Sequence, residues 1–130
     1  MLNITAIYAS LIALVFIVLS VRVIQYRRGE RVSLGDGDGE HSELRKRVRA
    51  HANCAEYAPF GLLLLALAEL QAAPTIALHL LGMMLLLGRL AHGYSLSAPR
   101  PQFGLRTLGM GLTFSMIGLT AIGLLVHSLF

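Results

Sequence analysis

The chain has 130 residues, of which 55% are hydrophobic and only 14% charged, with a mean hydropathy of +0.67. That balance is too apolar for a water-soluble domain of this size, so the sequence reads as an integral membrane protein. A single cysteine, Cys54, excludes an internal disulfide and any paired-cysteine redox or zinc motif. The net charge of +4 matters less than where the charges sit.

One membrane domain with four spans is expected, over residues 3–26, 46–70, 75–96 and 104–127. The first apolar run, LNITAIYASLIALVFIVLSV, lacks the basic leader and small-residue cleavage site of a signal peptide and reads as a retained helix. A small proton-coupled transporter would need an ionisable residue there, and residues 2–21 carry no charged side chain. The segment RRGERVSLGDGDGEHSE is a Gly- and Asp-rich connector. Its GDGDGE lacks the ligand spacing and closing bidentate Glu of a calcium loop. Ser42 is the expected N-cap of the second helix, with Glu43 favourably placed in its first turn. QAAP makes a tight turn with Pro74 at the start of the third helix, and SAPRPQFG is a short Pro-rich link to the fourth.

All eleven basic residues lie at or near the first and third connections, and none lies at QAAP or either terminus. The positive-inside rule therefore places both basic loops in the cytoplasm and both termini on the periplasmic side. In the fourth span Gly111, Ser115 and Gly118 form a small-residue stripe that permits close helix approach. Packing inside one bundle and packing between subunits both fit that stripe.

The second helix runs from RKRVRAHANCAEYAP into FGLLLLALA without a turn signal, carrying polar residues into the membrane. A charge near the bilayer centre costs about 2.5 to 3.5 kcal/mol on insertion scales, so such residues call for a partner or a role. At 100° per residue Arg49, Asn53, Glu56 and Phe60 share an arc of about 60°. The third span ends GRLAHGYSLS, with Arg89 and His92 on one face. Arg89 then either snorkels to the interface or pairs with Glu56 on the neighbouring helix. In the functional alternative Arg49, Asn53, Glu56, Arg89, His92 and Arg106 converge on a cytoplasm-facing pocket whose excess cations suit an anionic ligand. His79 and His127 read as packing or interface residues, and without a second ligand at helical spacing no metal site is expected. Glu69 reads as solvated, and Cys54 as a small core residue.

RAHANCAEYAP resembles the signature of the MAPEG superfamily, the membrane-associated proteins in eicosanoid and glutathione metabolism. RRGERVS is similar to the first-helix end of leukotriene C4 synthase, and GRLAH to the third-helix motif of microsomal prostaglandin E synthase. The long GDG-containing loop and GRLAHGY resemble a bacterial inner-membrane branch. The resemblance implies an all-α, four-helix subunit assembled as a homotrimer in a bacterial inner membrane. It further implies glutathione as co-substrate, bound between subunits near the cytoplasmic face, a lipophilic second substrate entering from the lipid, and no nucleic-acid partner.

Carried over residue by residue, Arg49, Asn53, Glu56 and Tyr57 match glutathione contacts, with His51 beside them. Arg27 matches a ligand contact at the end of the first helix and Arg28 the catalytic proton donor there. Arg89 and His92 join the pocket from the third helix. Arg106, followed by Thr107, matches the arginine that stabilises the glutathione thiolate, with Arg100 as the other arginine in reach of that role. The prostaglandin synthase has a Tyr four residues after its third-helix His; here that position is Leu96, and Tyr94 falls two residues after His92. The chemistry is coherent: arginines suit glutathione's two carboxylates, Glu56 suits its amine, and a nearby cation favours the thiolate. The implied activity is a glutathione transferase or peroxidase acting on lipophilic electrophiles. The competing reading is a non-catalytic trimeric membrane protein that keeps the fold and binds a thiol or lipid ligand.

Overall fold

A computed structural model describes residues 1–100 and 102–130. Four helices make up the chain: α1 Asn3–Glu30, α2 Ser42–Leu70, α3 Thr75–Ser97 and α4 Phe103–Leu129, with no strand among the described residues. A lipid environment leaves helices as the open solution, because each backbone N–H and C=O must then be satisfied within its own segment. Three of the four, α1, α3 and α4, are long and apolar enough to cross a membrane. The 29-residue α2 is as long, but its first half carries Arg45, Lys46, Arg47 and Arg49.

Two boundaries differ from the sequence expectation. α1 continues to Glu30 and stops at Arg31, which takes a left-handed conformation with φ of 56° and closes the helix on the Arg27 carbonyl. Ser42 is the first helical residue of α2, and His41 holds the cap position without a side-chain capping bond. The reason lies across the loop: the Tyr26 hydroxyl is 3.3 Å from His41 Nδ1, and the two rings meet edge to face. His41 is thereby held where its carbonyl accepts the Arg45 N–H at 3.1 Å and closes the first turn.

α2 and α3 form the centre of the subunit. α1 packs on both, α4 packs on both, and α1 and α4 make no contact among the described residues. Tyr8, Ile12, Leu19, Cys54, Leu65, Leu85 and Met116 form the core. Large apolar side chains such as Leu14, Val18, Leu119 and Ile122 face outward, as expected where the solvent is lipid. Cys54 is buried in the core, in keeping with its reading as a small packing residue.

The backbones of α3 and α4 meet at two glycines. A Cβ added to Gly109 would stand 2.7 Å from the Gly88 carbonyl oxygen and 2.7 Å from the His92 nitrogen. A Cβ on Gly88 would stand 2.7 Å from Thr113 Oγ1. By contrast, Gly111 and Gly118 have nothing within 4 Å of where a Cβ would go. The stripe expected from Gly111, Ser115 and Gly118 is therefore not packed inside the subunit, and Gly109 makes the internal contact instead. Small residues matter only on the face that meets a neighbour, and helix rotation puts Gly109 on that face.

At the other end of the bundle Glu69 is not simply solvated. Its Oε1 accepts the Ile4 N–H at 2.9 Å and its Oε2 the Thr5 N–H at 2.7 Å. The first turn of a helix leaves N–H groups without intrahelical partners and carries a partial positive charge, so a carboxylate from α2 caps α1 across the chain.

The glycine crossing sets the first test. Gly109→Ala should lower stability in detergent by about 1–3 kcal/mol through over-packing. Gly123→Ala, where a Cβ has open space, should be neutral or gain up to about 1 kcal/mol of helix propensity. Thermal unfolding that ranks the two in the opposite order would contradict this crossing.

Candidate functional site

Arg89 is carried inward by α3 until it is only 1% exposed. Its Nε and Nη2 donate to Thr113 Oγ1 at 3.1 and 2.7 Å, and its Nη1 donates to Asn53 Oδ1 at 2.6 Å. A longer contact of 3.4 Å reaches the Asn53 carbonyl, and the guanidinium carbon lies 5.7 Å from the centre of the Tyr57 ring. Thr113 donates its own hydroxyl proton to the Gly109 carbonyl at 2.9 Å, which leaves its oxygen free to accept from the guanidinium. One buried cation thus joins α2, α3 and α4.

Neither structural role expected for Arg89 is found. Snorkelling would expose its head, and the head is enclosed. An ion pair with Glu56 does not form: Glu56 is exposed, and every ion pair among the described residues uses Glu43 or Asp38. Asn53, one turn earlier on the same face, reaches the guanidinium in its place. The arginine is held by neutral oxygens and an aromatic face.

His92, one turn beyond Arg89, is 3% exposed. Its backbone packs against α4 at Gly109, one turn beyond Arg106, and on α2 Arg49 stands one turn before the Asn53 that holds Arg89. Cations on α2, α3 and α4 therefore lie toward the same end of the bundle. Tyr57 sits between Arg89 and Phe114, whose ring it meets edge to face at 5.5 Å.

Other residues lie around this cluster or away from it. Arg49 and Glu56 are exposed on the α2 face that carries Asn53. Arg106 lies in the first turn of α4 and borders a groove of about 200 Å³ with Lys46, Ser95, Leu96 and Phe103. Arg100 lies in the exposed link before that helix. Thr107 turns its hydroxyl back onto the Phe103 carbonyl at 3.0 Å. His51 is on the far side of α2, stacked on Phe16 of α1 at 4.7 Å. Arg27 and Arg28 lie in the last turn of α1, where Arg27 Nη2 donates to the Gly35 carbonyl at 2.7 Å. α1 and α4 do not pack on each other, and no hydrogen bond joins Arg27 or Arg28 to Arg106 among the described residues.

Two residues that the sequence reading passed over are central. Thr113 is one of five hydroxyl residues in α4, with Thr107, Ser115, Thr120 and Ser128, and its position four residues after Gly109 was the available signal. Arg47 donates to the Arg22 carbonyl at 2.8 Å, pairs with Glu43 at 3.3 Å and lies 5.4 Å from the Tyr26 ring centre. It ties the end of α1 to α2 on the side where the basic residues gather.

A four-helix membrane bundle with a buried arginine and histidine and free cations toward one end is the class of protein these features define. The MAPEG family model matches residues 5–126, and the chain belongs to that family. It is 37% identical over 111 residues to the inner membrane protein YecN of Escherichia coli K12, covering 85% of this chain and 82% of the relative. The same values hold for YecN of E. coli O6:H1 strain CFT073. These relatives and the apolar spans are consistent with a bacterial inner membrane.

The network around Arg89 predicts that Thr113→Val leaves a buried guanidinium short of its acceptor. A hydrogen bond to a charged group is worth about 1.5–3 kcal/mol, and the variant should lose stability on that scale. Thr113→Ser, which restores the oxygen, should recover most of it. Equal unfolding midpoints for the valine and serine variants would contradict the network.

Proposed function

We propose that this protein binds glutathione and acts as a transferase or peroxidase on lipophilic electrophiles through a thiolate stabilised by arginine. The observation that carries the reading is that Arg49, Arg89 and Arg106 lie on three helices at the end of the bundle where His92 is buried, in a member of the MAPEG family. Arg89 is occupied by Asn53 and Thr113, so its part is to hold the cluster in shape and to contribute field. Arg49 and Arg106 are exposed and free to meet glutathione's carboxylates, and Glu56 is placed to take the amine. Arg106 stands at the start of α4, where the helix terminus also favours an anion.

Assembly as a homotrimer follows from the same reasoning. The roles assigned to Arg27 and Arg28 on α1 and to Arg106 on α4 require a single site, and α1 and α4 are apart in the subunit. A neighbouring copy supplies the missing side. His51, turned toward α1, belongs with the α1 side of such a shared site. The outward Gly111, Ser115 and Gly118 offer a close-packing face for that copy. The basic loops face the cytoplasm and both termini the periplasm.

The test is a glutathione titration of the purified protein in detergent, followed by stopped-flow absorbance of the thiolate. Arg106→Ala should abolish the thiolate signal, a loss of about 2.7–4 kcal/mol of thiolate stabilisation if the contact resembles an oxyanion donor, while weakening glutathione binding only modestly. Arg100→Ala should leave both unchanged. Saturable binding without thiolate in the wild type would favour the non-catalytic reading, and no binding would remove glutathione altogether.

A further inference from the structure

A second groove, of about 370 Å³, runs between α1 and α3 and faces outward. Its walls are Leu14, Val18, Leu90, Gly93 and the buried Arg89, whose guanidinium is already taken up by Asn53 and Thr113, and its basic-loop end carries Arg22, Tyr94 and Ser97. Leu14, Val18, Leu90 and Tyr94 are all exposed, so the groove opens where a membrane would bring lipid.

Arg22 decides what fits there. It lies 19 residues after the first residue of α1, about 29 Å along the helix at 1.5 Å per residue, which is close to the hydrocarbon thickness of about 30 Å. Its guanidinium is therefore level with a lipid's phosphate. The backbone carbonyl of Arg22 is taken by Arg47, but its half-buried side chain has no ion pair and no hydrogen bond among the described residues. The carboxylate at hand, Glu43, is already shared by Arg47 and Lys46. An unpaired cation at the end of an apolar channel is complementary to one molecule that has both parts, an anionic head and an acyl chain.

We propose that the α1–α3 groove is a binding site for an anionic glycerophospholipid. One acyl chain lies along Leu14, Val18 and Leu90, and the headgroup phosphate meets Arg22, with the hydroxyls of Tyr94 and Ser97 at the same end. The site is separate from the Arg106 groove, which lies between α2, α3 and α4. It does not depend on glutathione chemistry.

The test is native mass spectrometry of the full chain, released from detergent with added lipids of matched acyl chains. Wild type should retain phosphatidylglycerol about fivefold over zwitterionic phosphatidylcholine, the scale of one arginine near an anionic headgroup. Arg22→Gln should erase the preference, Arg22→Lys should keep it, and Arg31→Gln, in the exposed loop, should not change it. Val18→Trp, which fills the channel from an exposed position, should lower retention of both lipids. Equal retention in the wild type, a preference that survives Arg22→Gln, or one that falls with Arg31→Gln would overturn the proposal. Glycerol phosphate retained as strongly as phosphatidylglycerol would overturn it too, because the acyl chain would then contribute nothing.

Discussion

A buried guanidinium without a carboxylate is the constraint on which the rest of this bundle depends. Taking an ion out of water costs several kcal/mol even after relaxation, and Arg89 offsets that with Asn53, Thr113 and the face of Tyr57. Those partners come from α2 and α4, so the three helices can satisfy the arginine in one relative rotation. The Gly88–Gly109 crossing belongs to the same arrangement. Bulk at either glycine would push α4 back and carry Thr113 out of reach of the guanidinium.

Holding Arg89 with neutral oxygens has an electrostatic consequence. A Glu56 partner would have cancelled its charge, whereas Asn53 and Thr113 solvate it and leave its field intact. Glu56 is correspondingly left unpaired on the exposed face of α2, beside Arg49. The helices thus keep uncancelled cations at the end where His92 is buried, and the Glu56 carboxylate stays free. That is the balance a ligand with two carboxylates and one amine calls for, and it arises from the choice of acceptors for a single side chain.

Much of the fold was legible because it depends on local rules. Apolar run length, Pro74 and the Gly-rich connector locate the four helices, and the 100° period places Arg49, Asn53 and Glu56 on one face. What could not be read was which member of that face meets Arg89, since both Asn53 and Glu56 fall within the arc and the choice depends on helix rotation. Thr113 was hidden for the same reason, since α4 also carries Thr107, Ser115 and Thr120 and only helix rotation decides which hydroxyl faces α3. The capping of α1 by Glu69 joins residues 65 and 64 positions apart, a pairing that no local pattern announces. Gly109 and Gly111 differ by 200° around α4, so composition alone could not say which one faces α3.

The central claim is that the ligand site is completed between copies, because α1 and α4 stand apart in the subunit. Native mass spectrometry in the presence of glutathione tests this directly. Under the proposed function, glutathione adducts are expected on a three-chain species and none on the 14.1 kDa single chain released from it. Adducts retained by the single chain, or a three-chain species that never carries glutathione, would contradict it.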